Sequence, residues 1–115
     1  RYLMTYPGDD GRLLLQAVEL GAQGVVIDGM GSGNVGQALY HAIRKAQTKG
    51  IPVILTTQVP YGGVWPTYGG PGGGARLLRE GVVSAKELSG SKARLLLMLA
   101  LSSQKNVNQL FNLNY

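Results

Sequence analysis

The chain has 115 residues, 44% hydrophobic and only 15% charged, which excludes a disordered segment and fits one domain with a single buried core. Its formal charge of +5 comes from scattered Lys and Arg rather than a stripe interleaved with aromatics, so a nucleic-acid surface is not indicated. With no cysteine and a single histidine, His41, it offers neither a disulfide framework nor a metal cluster, and its longest apolar run, Leu95 to Leu101, is too short to span a membrane.

Arg1 to Tyr6 alternates and is rich in strand formers, and Pro7-Gly8 closes it. Asp9 or Asp10 is the predicted cap of a helix whose apolar face is Leu13, Leu14, Ala17, Val18 and Leu20, with Gly21 suited to its C-terminal cap. Gly24 to Asp28 is a continuous apolar run of the kind buried on both faces in a parallel sheet. A glycine turn follows, and Gly36 to Lys49 reads as a helix with Ala38, Leu39, Ala42, Ile43 and Ala46 on one face, stopped by Gly50. Ile51 to Thr57 is a third predicted strand, its proline placed at the start where a lost donor matters least.

From Gln58 to Gly74 the pattern breaks into seven glycines and three prolines around Tyr61, Trp65 and Tyr68. A loop of this length in a compact domain is usually functional or disordered. Ala75 to Arg79 reads as a turn or two of helix and Gly81 to Val83 as a short fourth strand. Ser84 with Glu87 matches a weak capping box, Ser91 is a candidate cap for a helix over Lys92 to Ser102, and Asn106 to Leu113 adds a final turn. The expected architecture is α/β, a small four-stranded parallel sheet flanked by helices on both faces, formed by residues 1–115 as one domain. The helix over Leu95 to Leu101 is apolar around most of its circumference, so it is expected to be deeply buried or packed on a second subunit or domain.

The stretch Val25 to Gly36 carries the functional signals. Gly31, Gly33 and Gly36 fit a dinucleotide fingerprint between strand and helix, but no Asp or Glu occurs between Asp28 and Glu80 to bind a ribose. Asp28 ends a buried strand, where ligands bind in open α/β sheets. It reads either as a catalytic acid or as a hydrogen-bond partner of the glycine loop beside it. Asn34 reads either as a helix N-cap or as an amide that reaches a substrate. His41 is expected at the surface or an interface, Asp9 and Asp10 at a helix start, and Glu19, Glu80 and Glu87 on solvent faces. No serine stands in a nucleophile-elbow context.

Several stretches together resemble the C-terminal domain of L-asparaginases. They are Tyr6-Pro7-Gly8, Gly24 to Ile27 with Gly29-x-Gly31-x-Gly33-Asn34, and Ile51 to Leu55 continuing to Pro60. Leu88 with Lys92-Ala93-Arg94, Leu96 to Leu101, Leu110-Phe111-Asn112 and Tyr115 complete the set. The resemblance implies an amidohydrolase that converts asparagine, and often glutamine, to the acid and ammonia, with a threonine nucleophile on a larger N-terminal domain. The Thr-Gly-Gly-Thr and Gly-Thr-Asp-Thr motifs of that domain do not occur here. The chain, which begins at Arg1, is therefore expected to be a C-terminal part that holds no catalytic residue and does not turn over substrate alone. By resemblance Asn34, carried by Gly31, Ser32 and Gly33, faces the substrate's amino-group end. No cofactor and no metal is implied.

The implied partners are an N-terminal asparaginase domain and a second copy of the chain, met through the last helix and the glycine-rich loop, with a small amino acid as substrate and neither nucleic acid nor membrane. The compartment stays open between cytoplasmic and periplasmic or secreted. Relatives of the secreted type offer a glutamate from the loop after the third strand, and Gln58 to Gly74 contains no acid. The runner-up from the residues alone is a non-catalytic module binding a small ligand or nucleotide at the Asp28–Asn34 turn.

Overall fold

In the computed structural model, residues 2–4, 10–29, 35–57, 74–86 and 88–113 are described. Strands β1 (Tyr2–Met4), β2 (Val25–Gly29) and β3 (Val53–Thr57) alternate with helices α1 (Arg12–Glu19) and α2 (Gln37–Thr48). A six-residue α3 (Gly74–Arg79) leads to β4 (Val83–Ser84), and α4 (Gly90–Ser102) and α5 (Val107–Leu113) close the chain. All pairings are parallel and the order is β1-β2-β3-β4. The α/β class with a parallel sheet is thus observed. Three strands carry the sheet, and the fourth is only a two-residue segment on its edge.

Alternation along β2 and β3 sorts their side chains. Val25, Ile27, Val53 and Leu55 join Leu14 of α1, Leu39, Ala42 and Ile43 of α2 and Leu77 of α3 in one core. Val26 and Ile54 face the opposite way and pack with Val83, Ala93, Leu97 and Phe111. Both faces are therefore covered, which explains the uninterrupted apolar runs. Crossovers of one hand that always step the same way along the sheet place α1, α2 and α3 on one face. The opposite face is left to the chain that follows β4.

The helices on the first face end alike. Gly21, Gly50 and Gly81 have φ of 95°, 76° and 99°, and the residue after each returns a backbone bond into the last turn, as in Ala22 N–H to Ala17 O at 3.0 Å. Helix α4 instead places Gln104 at this position, φ 57°.

Four helix-start expectations need correction. The N-cap of α1 is Gly11 (φ 80°), and Asp10 contributes by accepting the Arg12 N–H at 3.0 Å. Gly11 also lies so close to α2 that a β-carbon there would meet the Ala42 methyl at 2.5 Å. The N-cap of α2 is Gly36, so capping does not ask for an asparagine at position 34. Ser89 rather than Ser91 caps α4, its hydroxyl accepting the Lys92 N–H. Ser84 ends β4 and accepts the Lys86 N–H at 3.0 Å in a turn, where the capping-box pattern predicts a helix.

Candidate functional site

In a parallel sheet the ligand-facing edge is the carboxyl end of the strands. Here that edge is marked by the two buried polar side chains among the described residues, Asp28 (4% exposed) and Thr56 (1%). They sit directly opposite one another in the β2–β3 register, and the Thr56 hydroxyl donates to Asp28 Oδ1 at 2.9 Å. The described contact of Asp28 is to Thr56 on the neighbouring strand, a partner that neither reading names, and the glycine loop lies outside the described residues. A hydroxyl and a carboxylate resemble a nucleophile with its base, but a side chain 1% exposed is not presented to a substrate.

Asn34, Gly31, Ser32 and Gly33 lie outside the described residues, as do Asp9, Tyr61, Trp65, Tyr68 and Glu87. What is described is where their segment is anchored: it leaves β2 beside Asp28 and re-enters the core at Val35, 5% exposed, one residue before the α2 cap. The segment 58–73 likewise leaves β3 beside Thr56 and enters α3.

A second polar cluster lies on the helical layer, where the sequence predicts a solvent-facing Glu80. The Tyr40 hydroxyl donates to the Glu80 carboxylate, 2.8 Å from Oε2, and Arg76 Nε donates to Oε1 at 2.8 Å. Arg44 Nη1 and Gln47 Nε2 donate to the Glu80 backbone oxygen at 3.0 and 3.1 Å. The phenol, then Arg76, hold the Glu80 carboxyl below its ordinary range, and the same bond with burial raises Tyr40 above its own. His41 is exposed, its ring edge-on to Tyr40 at 5.3 Å. This cluster joins α2 to the α3–β4 turn. Arg76 is an i,i+4 neighbour of Glu80, but Tyr40, Arg44 and Gln47 stand 33 to 40 residues away from it, a separation that leaves no local signal.

Among the described residues no three His, Asp or Glu gather into a metal set, and no helix is long and apolar enough to cross a membrane. The strand order never reverses, so this sheet has no internal switch point, the crevice where open α/β sheets bind nucleotides. The nucleotide-module alternative is not favoured.

The described elements define a monotonic parallel α/β layer whose carboxyl edge carries the buried Asp28–Thr56 pair. The family model described as the glutaminase/asparaginase C-terminal domain matches residues 1–113, and the chain belongs to that family. It is 36% identical over 112 residues to a probable L-asparaginase of Deinococcus radiodurans, covering 95% of this chain and 34% of that protein. It is 33% identical over 100 residues to the L-asparaginase of Bacillus licheniformis, covering 87% and 31%. Among solved structures, a probable cytoplasmic L-asparaginase from Campylobacter jejuni superposes with a TM-score of 0.82 at 28% identity, over 99% of this chain and 34% of that one. The chain therefore spans about a third of the length of these relatives.

Proposed function

We propose that this chain is the C-terminal part of an L-asparaginase-type amidohydrolase, which converts L-asparagine and water to L-aspartate and ammonia. The observation that carries the reading is the family match over residues 1–113 in a chain only a third as long as its asparaginase relatives. In this reading the nucleophile and its proton-transfer groups come from an N-terminal domain, and Asn34 on its glycine turn borders the substrate. No residue of this chain is assigned a bond-making role.

A second copy of the chain is the proposed partner at α4, where Leu95, Met98 and Leu99 are 58%, 51% and 63% exposed. The glycine-rich loop, the other proposed contact, lies outside the described residues.

The test is reconstitution. An N-terminal asparaginase domain, supplied in trans or fused ahead of Arg1, is expected to release ammonia from asparagine with this chain present, and the chain alone to release none. Turnover by the chain alone, or a well-folded assembly that stays inactive, defeats the reading. In an active assembly, Asn34→Ala is expected to raise KM or lower kcat, while costing little stability because Gly36 caps the helix.

A second parent is supported by several likenesses. A component of the glutamyl-tRNA(Gln) amidotransferase of Pyrobaculum aerophilum is 44% identical over 59 residues, 51% of this chain and 14% of that protein. Ammonia release from free asparagine that appears only with glutamyl-tRNA present would favour that parent.

A further inference from the structure

We propose that the groove between the α1–β2 turn and the second half of α4 seats the stretch of polypeptide that leads into β1 in the parent protein. The inference rests on the reading of this chain as the C-terminal part of a longer protein, and not on that protein's chemistry.

The groove has a volume of about 400 Å³. It exists because position 24 is glycine. A β-carbon there would meet Leu97 Cδ2 at 2.9 Å and Leu101 Cδ1 at 3.1 Å, so only bare backbone lets α4 come this close. The turn ahead of β2 forms one wall, and Leu97, Met98 and Leu101 make the other largely apolar. Further apolar surface flanks it. Leu20, just ahead of Gly21 in the turn, is 81% exposed, the most of any large apolar side chain among the described residues, and Met98 is 51% exposed.

Topology says what lies nearest. All strands are parallel, so all begin at one edge, and Gly24 stands at that edge just ahead of β2. Tyr2 of β1 pairs with Val26, two residues past Gly24. A polypeptide joined ahead of β1 therefore reaches the sheet about 5 Å from this backbone, one strand spacing away. Helix α4 packs on β1 as well as on β2, so the helical wall extends toward that entry.

Charge narrows the occupant. Arg94 lines the groove and makes no ion pair among the described residues, and none of the described lining residues is acidic. A second copy would bring the same patch, with its own Arg94 and a formal charge of +5, against this one, since a twofold contact is self-matching. The lead-in is instead held at the groove covalently, at high effective concentration, and one acidic and one apolar side chain on it would satisfy Arg94 and the leucines. Leu95 and Leu99 lie outside the groove and stay available to a second copy.

The test uses the lack of cysteine in the chain. Ser102→Cys places a thiol on the groove wall, and Lys45→Cys places one on the exposed side of α2. The probe is the part of the probable L-asparaginase of Deinococcus radiodurans that precedes its matched region, cleared of cysteine and fused ahead of Arg1. Maleimide labelling of Ser102→Cys is expected to be about tenfold or more slower in the fusion than in the 115-residue chain, because a covered thiol is unreactive, with Lys45→Cys unchanged. Replacing about ten residues ahead of Arg1 by a glycine–serine stretch, which has no side chains to seat, is expected to restore the fast rate. Arg94→Glu should restore it as well, and Arg94→Lys should not. Equal rates in fusion and chain, equal slowing of both thiols, or protection that survives the glycine–serine replacement or Arg94→Glu overturns the proposal. Slow labelling of the chain alone that dilution relieves gives the groove to a second copy and overturns it too. Ammonia release is read on the same fusion. An active fusion with an open groove defeats this proposal alone. A folded but inactive fusion defeats the amidohydrolase reading, while a covered groove in it still supports the lead-in.

Discussion

The two faces of the sheet are finished to different degrees. On the first, three helices interlock, each stopped by a glycine in the left-handed region, and a charged cluster ties α2 to the turn after α3. On the second, α4 and α5 cover the sheet with a smaller core centred on Phe111 and Leu97. There α4 ends on a left-handed Gln104 and turns Leu95, Met98 and Leu99 outward. The first face also exposes Leu13 and Leu20, which the sequence assigns to the apolar side of α1, but they stand at opposite ends of that helix rather than as a cluster. The second has surplus apolar surface, as a domain does when another polypeptide completes it.

That contrast can be broken at either core. Phe111→Ala on the second face is expected to cost about 3–5 kcal/mol and Ile43→Ala on the first about 2–5 kcal/mol, both read by denaturant melts. If the faces form one cooperative unit, each variant shows a single transition. Separate transitions for Phe111→Ala would make the second face an independent layer. Gly11→Ala should cost about 2 kcal/mol, because the left-handed backbone and the Ala42 contact both oppose a methyl. Gln104→Gly should stabilise by about 1 kcal/mol, bringing α4 to the ending its neighbours already have.

Glu80→Gln sharpens the comparison through pH. A carboxyl held below its ordinary range in the folded state contributes stability above the unfolded glutamate value near 4.3, and that contribution is lost as pH falls through the lower folded value. The Tm gap between parent and variant should therefore be widest near neutrality and close in acid. A gap independent of pH would remove the ionic account. Smallest in folding energy is Leu95→Glu with Leu99→Glu, expected within about 0.5 kcal/mol of the parent because both side chains already meet solvent. Sedimentation should nonetheless show self-association weakened, and an unchanged mass would exclude a second copy from this face.

Legibility in the sequence follows the range of the interaction. Runs such as Val25–Ile27 and Val53–Leu55 announce buried strands because burial on both faces demands apolar residues at every position. Gly21 and Gly50 announce helix ends because a left-handed residue is required there. Cap choices two residues apart, Ser89 against Ser91 and Gly36 against Asn34, are easily misplaced because neighbouring cap-forming residues compete for the same position. Asp28 stands out as a lone acid, but its partner Thr56 emerges only from register across the sheet. Glu80 reads as solvent-facing because Tyr40, Arg44 and Gln47 reach it from another helix, far away in the chain. The proposal of Asn34 as a site residue rests on the family motif, since no short-range physics distinguishes a substrate-facing amide from a helix-capping one.

The unreversed strand order also has a consequence in time. Each strand pairs with the next along the chain, so no pairing waits on more than one intervening helix and each closure is of similar size. Assembly can follow the order of synthesis, with β1 and β2 joined before β4 has emerged. Only the last layer, α4 and α5 folding back over the sheet, must wait until residues 90–113 have been made. Until then the face bearing Val26 and Ile54 is open, and any slow or aggregation-prone phase of folding should belong to that interval.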